Sequence, residues 1–175
     1  MKDSQGLAAF LSAWNAEAER TLQLLETLPA DQYDFRPDPQ GRSIGELAWH
    51  LSEIDACLSF GVAHRRFRLE DEPPGLVRPR QVALLVSGYR RIHEEAVARL
   101  ASLDDAGMDE TVTYLDGRNM KIRDVLWDSL LHHLIHHRGQ LVMLCRMSGG
   151  KPPGLFGPNR EEMMEIRARL QSAKP

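Results

Sequence analysis

Four histidines fall within six positions in the stretch "LLHHLIHHRGQL", residues 130–141, inside an otherwise apolar run. Neutral imidazole nitrogen is a good ligand for divalent transition metals, so helical spacing decides what these side chains can do together. On a helix, His133 and His137 stand four positions and about 40° apart, the spacing at which two imidazoles can meet one ion. Leu126, Leu130 and Leu144 fall in the same sector, with Leu134 and Leu141 beside it. His132 and His136 repeat the i,i+4 spacing on the other side, nearer Val125, Ser129 and Met143. Spacing alone does not choose between the pairs; the apolar stripe favours His133 with His137.

A third candidate is His50, among Leu47, Leu51 and Ile54 on the apolar face of an earlier helix. Each buried polar group left unpaired costs on the order of 1–3 kcal/mol, and a shared divalent metal removes that cost for all three imidazoles. Three protein ligands leave an open position, the pattern of catalytic rather than structural sites. Ligating imidazoles donate their second N–H to an outer partner, for which Glu53, Asp55 and Gln140 are the candidates by position. Cys57 lies two turns, about 11 Å, beyond His50, too far to share its ion, and reads as small core filler. Trp49 and Trp127 read as packing beside the site or at a helix seam.

The elements that must position these residues are helices. Leu7, Leu11, Trp14, Ala18, Leu22, Leu25 and Leu28 mark a first helix that stops at Pro29. Ser43 and Glu46 form the S-x-x-E signature of a capping box, so a second helix starts there. "EDEPPGLVRP" breaks the chain before a third helix carrying Val82, Leu85, Tyr89, Ala96 and Leu100, and this connection is long enough to be a crossover. "ETVTYLDGRNMKI" predicts a short hairpin about Asp116-Gly117. A fourth helix runs from about Ile122 to Met147 and ends at Gly149-Gly150, and "REEMMEIRARL" is a short amphipathic last helix. This is one all-α domain over residues 1–175, a four-helix bundle with a hairpin before the last long helix.

The composition is that of a globular chain of 175 residues, 42% hydrophobic and 27% charged. A formal charge of −3 argues against a nucleic-acid binder, and the one basic cluster, Arg65, Arg66 and Arg68, reads as a solvated helix end. Two cysteines make no disulfide framework, no signal segment is visible and no apolar run spans a membrane, so the expected compartment is the cytoplasm.

Taken together, "SIGELAWHL", "HHLIHHRGQL" and "PPGLFGP" resemble the DinB superfamily of bacterial metalloenzymes. The resemblance covers most of the chain, and its most specific string is H-x-x-x-H-R-G-Q. It implies a dimeric four-helix bundle with a three-histidine divalent metal site. Carried over by position, the ligands are His50, His133 and His137, while Arg138, Gly139 and Gln140 complete the string. His136 matches a variable position, His132 is no family ligand, and Arg138 is structural or subunit-facing.

Three functions follow as expectations. The first is a metal-dependent enzyme acting on a small molecule, in particular a low-molecular-weight-thiol S-transferase, as some relatives are bacillithiol S-transferases or mycothiol-dependent isomerases. The second is a metal-dependent hydrolase with Glu53 as general base; the third is a metal-binding or interaction domain without turnover. The expected cofactor is one divalent transition metal per chain: zinc, nickel or iron. Expected partners are a small-molecule substrate and a second copy of the chain, docked through Leu131, Ile135 and Val142, with no nucleic acid and no membrane.

Overall fold

The structure, a computed structural model, describes residues 6–172. Helix α1 spans Leu7–Leu25 and α2 spans Ile44–His64. The α2 start is locked by the predicted capping box: Ser43 Oγ accepts from the Glu46 N–H at 3.3 Å, and Glu46 Oε2 accepts from the Ser43 N–H at 2.9 Å. Such a cap is worth about 1 kcal/mol, and it fixes the helical phase that His50 inherits. At the other end Arg65 adopts φ 53°, a left-handed stop that turns the chain out of the helix.

Helix α3 spans Leu85–Arg99 after a 3₁₀ turn at Val82–Leu84. Strands β1 (Thr111–Thr113) and β2 (Asn119–Lys121) pair antiparallel with Val112 opposite Met120, and Gly117 at φ 82° supplies the expected turn. Helix α4 is continuous from Ile122 to Met147 in three pieces: a first turn Ile122–Asp124, a π-helical stretch Val125–His132, and an α-helical stretch His133–Met147. Helix α5, Arg160–Ser172, buries none of its residues.

The first four helices form the bundle, with α1 and α2 diagonal and each packed on both α3 and α4. Contacts give the directions. Trp49 meets Gly88, Asp55 meets His93 and Ser59 meets Arg99, so α2 and α3 run parallel. Phe10 meets Trp127, Glu17 meets Arg138 and Thr27 meets Cys145, so α1 and α4 also run parallel. Parallel neighbours cannot be joined by a tight turn, which is why residues 65–81 must travel the length of the bundle. That crossover, together with the hairpin, passes over one face of α2.

The core is apolar with one polar seam. Phe10, Trp14, Leu51, Tyr89, Ile92 and Leu134 are fully buried. Among them Asp55 accepts from Trp14 Nε1 at 2.9 Å and faces His93 Nδ1 at 2.8 Å, and His93 Nε2 lies 2.9 Å from Asn15 Oδ1. A second buried pair joins α4 to α1: Arg138, 1% exposed, donates to the Glu17 carboxylate and, at 2.8 Å, to the Glu17 carbonyl. Arg138 is thus structural, turned into the bundle. The apolar face expected to meet a second subunit is partly spent at home, because Leu131 is buried in the core and Ile135 and Val142 pack half-buried against it.

Candidate metal centre

His50 on α2 and His133 and His137 on α4 converge where the two helices face each other. One nitrogen from each ring falls within 4.8 Å of the other two. His133 Nε2 and His137 Nε2 are 2.8 Å apart, and the His50 ring centroid is 4.7 Å from that of His137.

The outer nitrogens are all engaged. His50 Nδ1 donates to Glu53 Oε2 at 2.9 Å, and His137 Nδ1 donates to Gln140 Oε1 at 2.7 Å. The amide orientation of Gln140 is set in turn by its Nε2, which donates to His136 Nε2 at 3.1 Å. His133 donates to the Ser129 backbone carbonyl. Each of these partners accepts, so each Nδ1 carries the proton and each Nε2 presents a lone pair inward. Two imidazole lone pairs facing at 2.8 Å repel unless a cation lies between them. The donor set therefore fits a divalent ion, and the partners on Nδ1 are the kind that fix tautomer and raise ligand basicity.

Electrostatics agree. Burial holds the His137 imidazole down at about 4, with His50 and His133 adding to the effect and the Gln140 hydrogen bond opposing it. Burial lowers His133 as well, followed by the neighbouring His50. Both are neutral at pH 7, the form that ligates metals.

The cluster opens on a cavity of about 490 Å³. His50 and His133 form one end; Trp49 and Leu58 on α2, Leu76 on the crossover and Tyr114 in the hairpin supply apolar wall. Trp49 is held there because α3 carries Gly88, where an added Cβ would lie 2.8 Å from the Trp49 ring.

Residues 1–169 match the family model described as the DinB family. The chain belongs to the DinB family. An uncharacterized relative, YrdA of Bacillus subtilis strain 168, is 29% identical over 160 residues, 90% of this chain and 92% of that protein. A DinB-like protein of Bacillus cereus ATCC 10987, solved by crystallography, superposes with a TM-score of 0.71 at 26% identity, covering 86% of this chain and 97% of its own. A second crystal structure, the DinB-like YjoA of Bacillus subtilis, shares the fold with a TM-score of 0.67 at 21% identity, covering 86% and 98%.

Within this DinB chain the three expected histidines come together, but not in the bundle core. The His50 side chain keeps 16% exposure, and His133 and His137 are half-buried at the edge of α4. The buried α4 stripe is Leu134, Arg138, Leu141 and Cys145, while Leu144 lies outside it. A uniform 100° per residue misplaces that stripe, because i→i+5 bonding across Val125–His132 widens the turns before the histidines.

Of the outer partners expected, Glu53 and Gln140 hold imidazoles and Asp55 does not. Asp55 is two residues from Glu53, so it projects from the other side of α2 into the Trp14–His93 seam. Cys57 is exposed and lines the cavity instead of filling the core. His132 is a surface residue paired with Asp128 at 3.0 Å, whereas His136 reaches the site through Gln140. The carbonyl of Ser129 carries no side-chain signal by which a sequence could mark it. No helix among the described residues is long and apolar enough to cross a membrane.

Proposed function

We propose that this chain is a metal-dependent enzyme holding one divalent transition ion, zinc, nickel or iron, on His50, His133 and His137. In this reading it transfers a low-molecular-weight thiol to a small electrophile. The observation that carries the proposal is the convergence of three Nε2 lone pairs, with every Nδ1 engaged, at one end of a cavity of small-molecule size. Bound there, the ion would supply a position at which a thiol gives up its proton at neutral pH. The chain's own residues orient the rings, keep them neutral and surround the reactants with apolar wall.

Thiol chemistry is favoured over hydrolysis because Glu53, the acid beside the cluster, has one oxygen committed to His50. A thiol needs no separate base once its proton is acidified, whereas an attacking water does. Hydrolysis stays a second reading on one observation: Glu53 also lines the cavity, where its other oxygen can face substrate. A homodimer belongs to the proposal too, supported by α5, which exposes Met164 and Leu170.

The test is conjugation of a chloronitrobenzene electrophile by several small thiols, with the chain metal-loaded and chelator-stripped. Metal-dependent turnover with at least one thiol is expected. Turnover absent with all thiols, alongside metal-dependent ester or amide hydrolysis that Glu53→Gln abolishes, would replace transfer by the hydrolytic reading.

A further inference from the structure

The residues of α2 that line the cavity beside the imidazoles lie on one stripe. His50, Glu53, Ile54, Cys57 and Leu58 follow one another at the spacing of a single helix face. One turn further the stripe reaches Gly61, which lines a second cavity of about 200 Å³ together with Phe60 and Phe67. The two cavities share Cys57, Leu58, Leu69 and Leu115 as wall, so they are parts of one groove under the crossover and the hairpin. By the helical rise, the groove follows α2 for roughly 16 Å from His50 to Gly61.

Its ends differ. At one end stand the imidazoles of His50 and His133. At the other, Phe67 lies directly on α2, which requires glycine at position 61, where an added Cβ would fall 2.3 Å from the ring. Tyr114 braces Phe67 from the hairpin, with ring centroids 5.2 Å apart. Between the ends, Leu69 on the crossover is 85% exposed and Leu115 at the hairpin 42%, and both line the groove. Apolar side chains left in solvent along a groove offer contact to an apolar ligand. Charges of both signs line the larger cavity, Glu53 and Glu72 with Arg78, so shape discriminates there rather than net charge. Past the midpoint stands Cys57, exposed and small beside Ile54 and Leu58.

We infer that the substrate is an amphipathic molecule whose reacting head sits at the imidazoles and whose unbranched apolar tail runs along α2 toward Phe67, and that Cys57, by its small size, sets how long a tail the groove admits. The inference rests on the proposed metal-centred reading for where the head binds; the groove itself does not depend on the ion. On that reading the tail belongs to the electrophile, since low-molecular-weight thiols are polar. Each methylene withdrawn from water tightens binding roughly threefold to fourfold until the groove is full.

Two probe series read the groove with and without the ion. Alkanehydroxamates from acetyl to decanoyl are titrated calorimetrically into the zinc-loaded chain, and 1-alkanols from ethanol to octanol are followed on the metal-free chain by NMR of the leucine methyl groups. In both series affinity is expected to climb with chain length, with Leu69 and Leu115 perturbed only by the longer members. Cys57→Trp should leave the shortest members unchanged and stop the climb well short of the wild-type plateau, while Cys57→Ser keeps the wild-type series. Leu69→Asp should weaken only the longest members, severalfold; circular dichroism shows that the variants are folded. Affinity independent of chain length in either series, or a climb that Cys57→Trp leaves intact, would overturn the inference. Zinc that fails to bind while the alkanol climb is present would overturn the metal reading and leave the preference for tails standing.

Discussion

His133 Nε2 and His137 Nε2 face each other at 2.8 Å while their outer nitrogens donate to the Ser129 carbonyl and Gln140 Oε1. A proton or a metal ion between them would resolve that arrangement, and burial, which lowers the His137 imidazole to about 4, disfavours the proton. On the proposed metal-centred reading the Gln140 contact contributes to the affinity for the ion. Gln140→Ala is expected to weaken divalent metal binding roughly 10–100-fold, the usual effect of removing an outer hydrogen-bond partner. Competition against a chromophoric chelator measures it, and His136→Ala, which removes only the support of Gln140, should have a smaller effect.

Acid should destabilise the metal-free chain in a defined window. His137 is held at about 4 in the folded protein, against 6.5 for an unperturbed imidazole. Between these values the unfolded chain binds the proton and the folded chain does not, so this group's contribution to stability falls as pH drops from about 6.5 to about 4. Thermal melts of chelated protein across that range should show the loss, and His137→Asn should flatten it. A slope unchanged in His137→Asn would contradict the assignment.

The predicted capping box and hairpin are legible in the sequence because each depends on neighbours a few positions away, whereas α1 ends at Leu25, short of the expected Pro29, and α3 is α-helical only over Leu85–Arg99. Ser43 with Glu46 fixes the start of α2, and Asp116-Gly117 fixes the turn. The convergence of His50, His133 and His137 was anticipated as well, from the apolar residues that surround them, since i,i+4 spacing fits His132 with His136 equally. Burial was not. Whether His133 faces the core or its edge depends on the π-helical turns before it and on which helices flank α4, and both are settled by packing. Asp55 was misread for the same reason: its role is defined by Trp14 and His93, 41 and 38 residues away.

That seam gives a clean separation of stability from metal binding. Asp55→Ala leaves the Trp14 indole N–H and the His93 Nδ1 without their partner in the core, each at a cost of about 1–3 kcal/mol, while His93 Nε2 keeps Asn15. Urea denaturation should show the loss while metal stoichiometry per folded chain stays at the wild-type value. A fall in stoichiometry would restore Asp55 to the outer shell of the centre.

Arg138 sits one residue from His137 yet works on the other side of α4. Removing Glu17 from its buried pair with Arg138, 8% against 1% exposed, leaves the Arg138 charge uncompensated, whereas removing Arg138 leaves Glu17 its second partner, Arg20, at 2.7 Å. Glu17→Leu is expected to cost about 3–5 kcal/mol, Arg138→Met less because Arg20 still holds Glu17, and the double change much less than the sum of the single ones. A double-mutant cycle in urea reads the coupling; strict additivity would show the pair to be inert.

The central claim is that three of these histidines hold one ion. Its most direct test is elemental analysis of untagged protein after reconstitution and desalting, for the wild type and for His50→Ala, His133→Ala and His132→Ala. The account predicts close to one divalent metal per wild-type chain, lost in the first two variants and kept in the third. A wild type that holds no metal, or a His133→Ala chain that keeps it, would contradict the account.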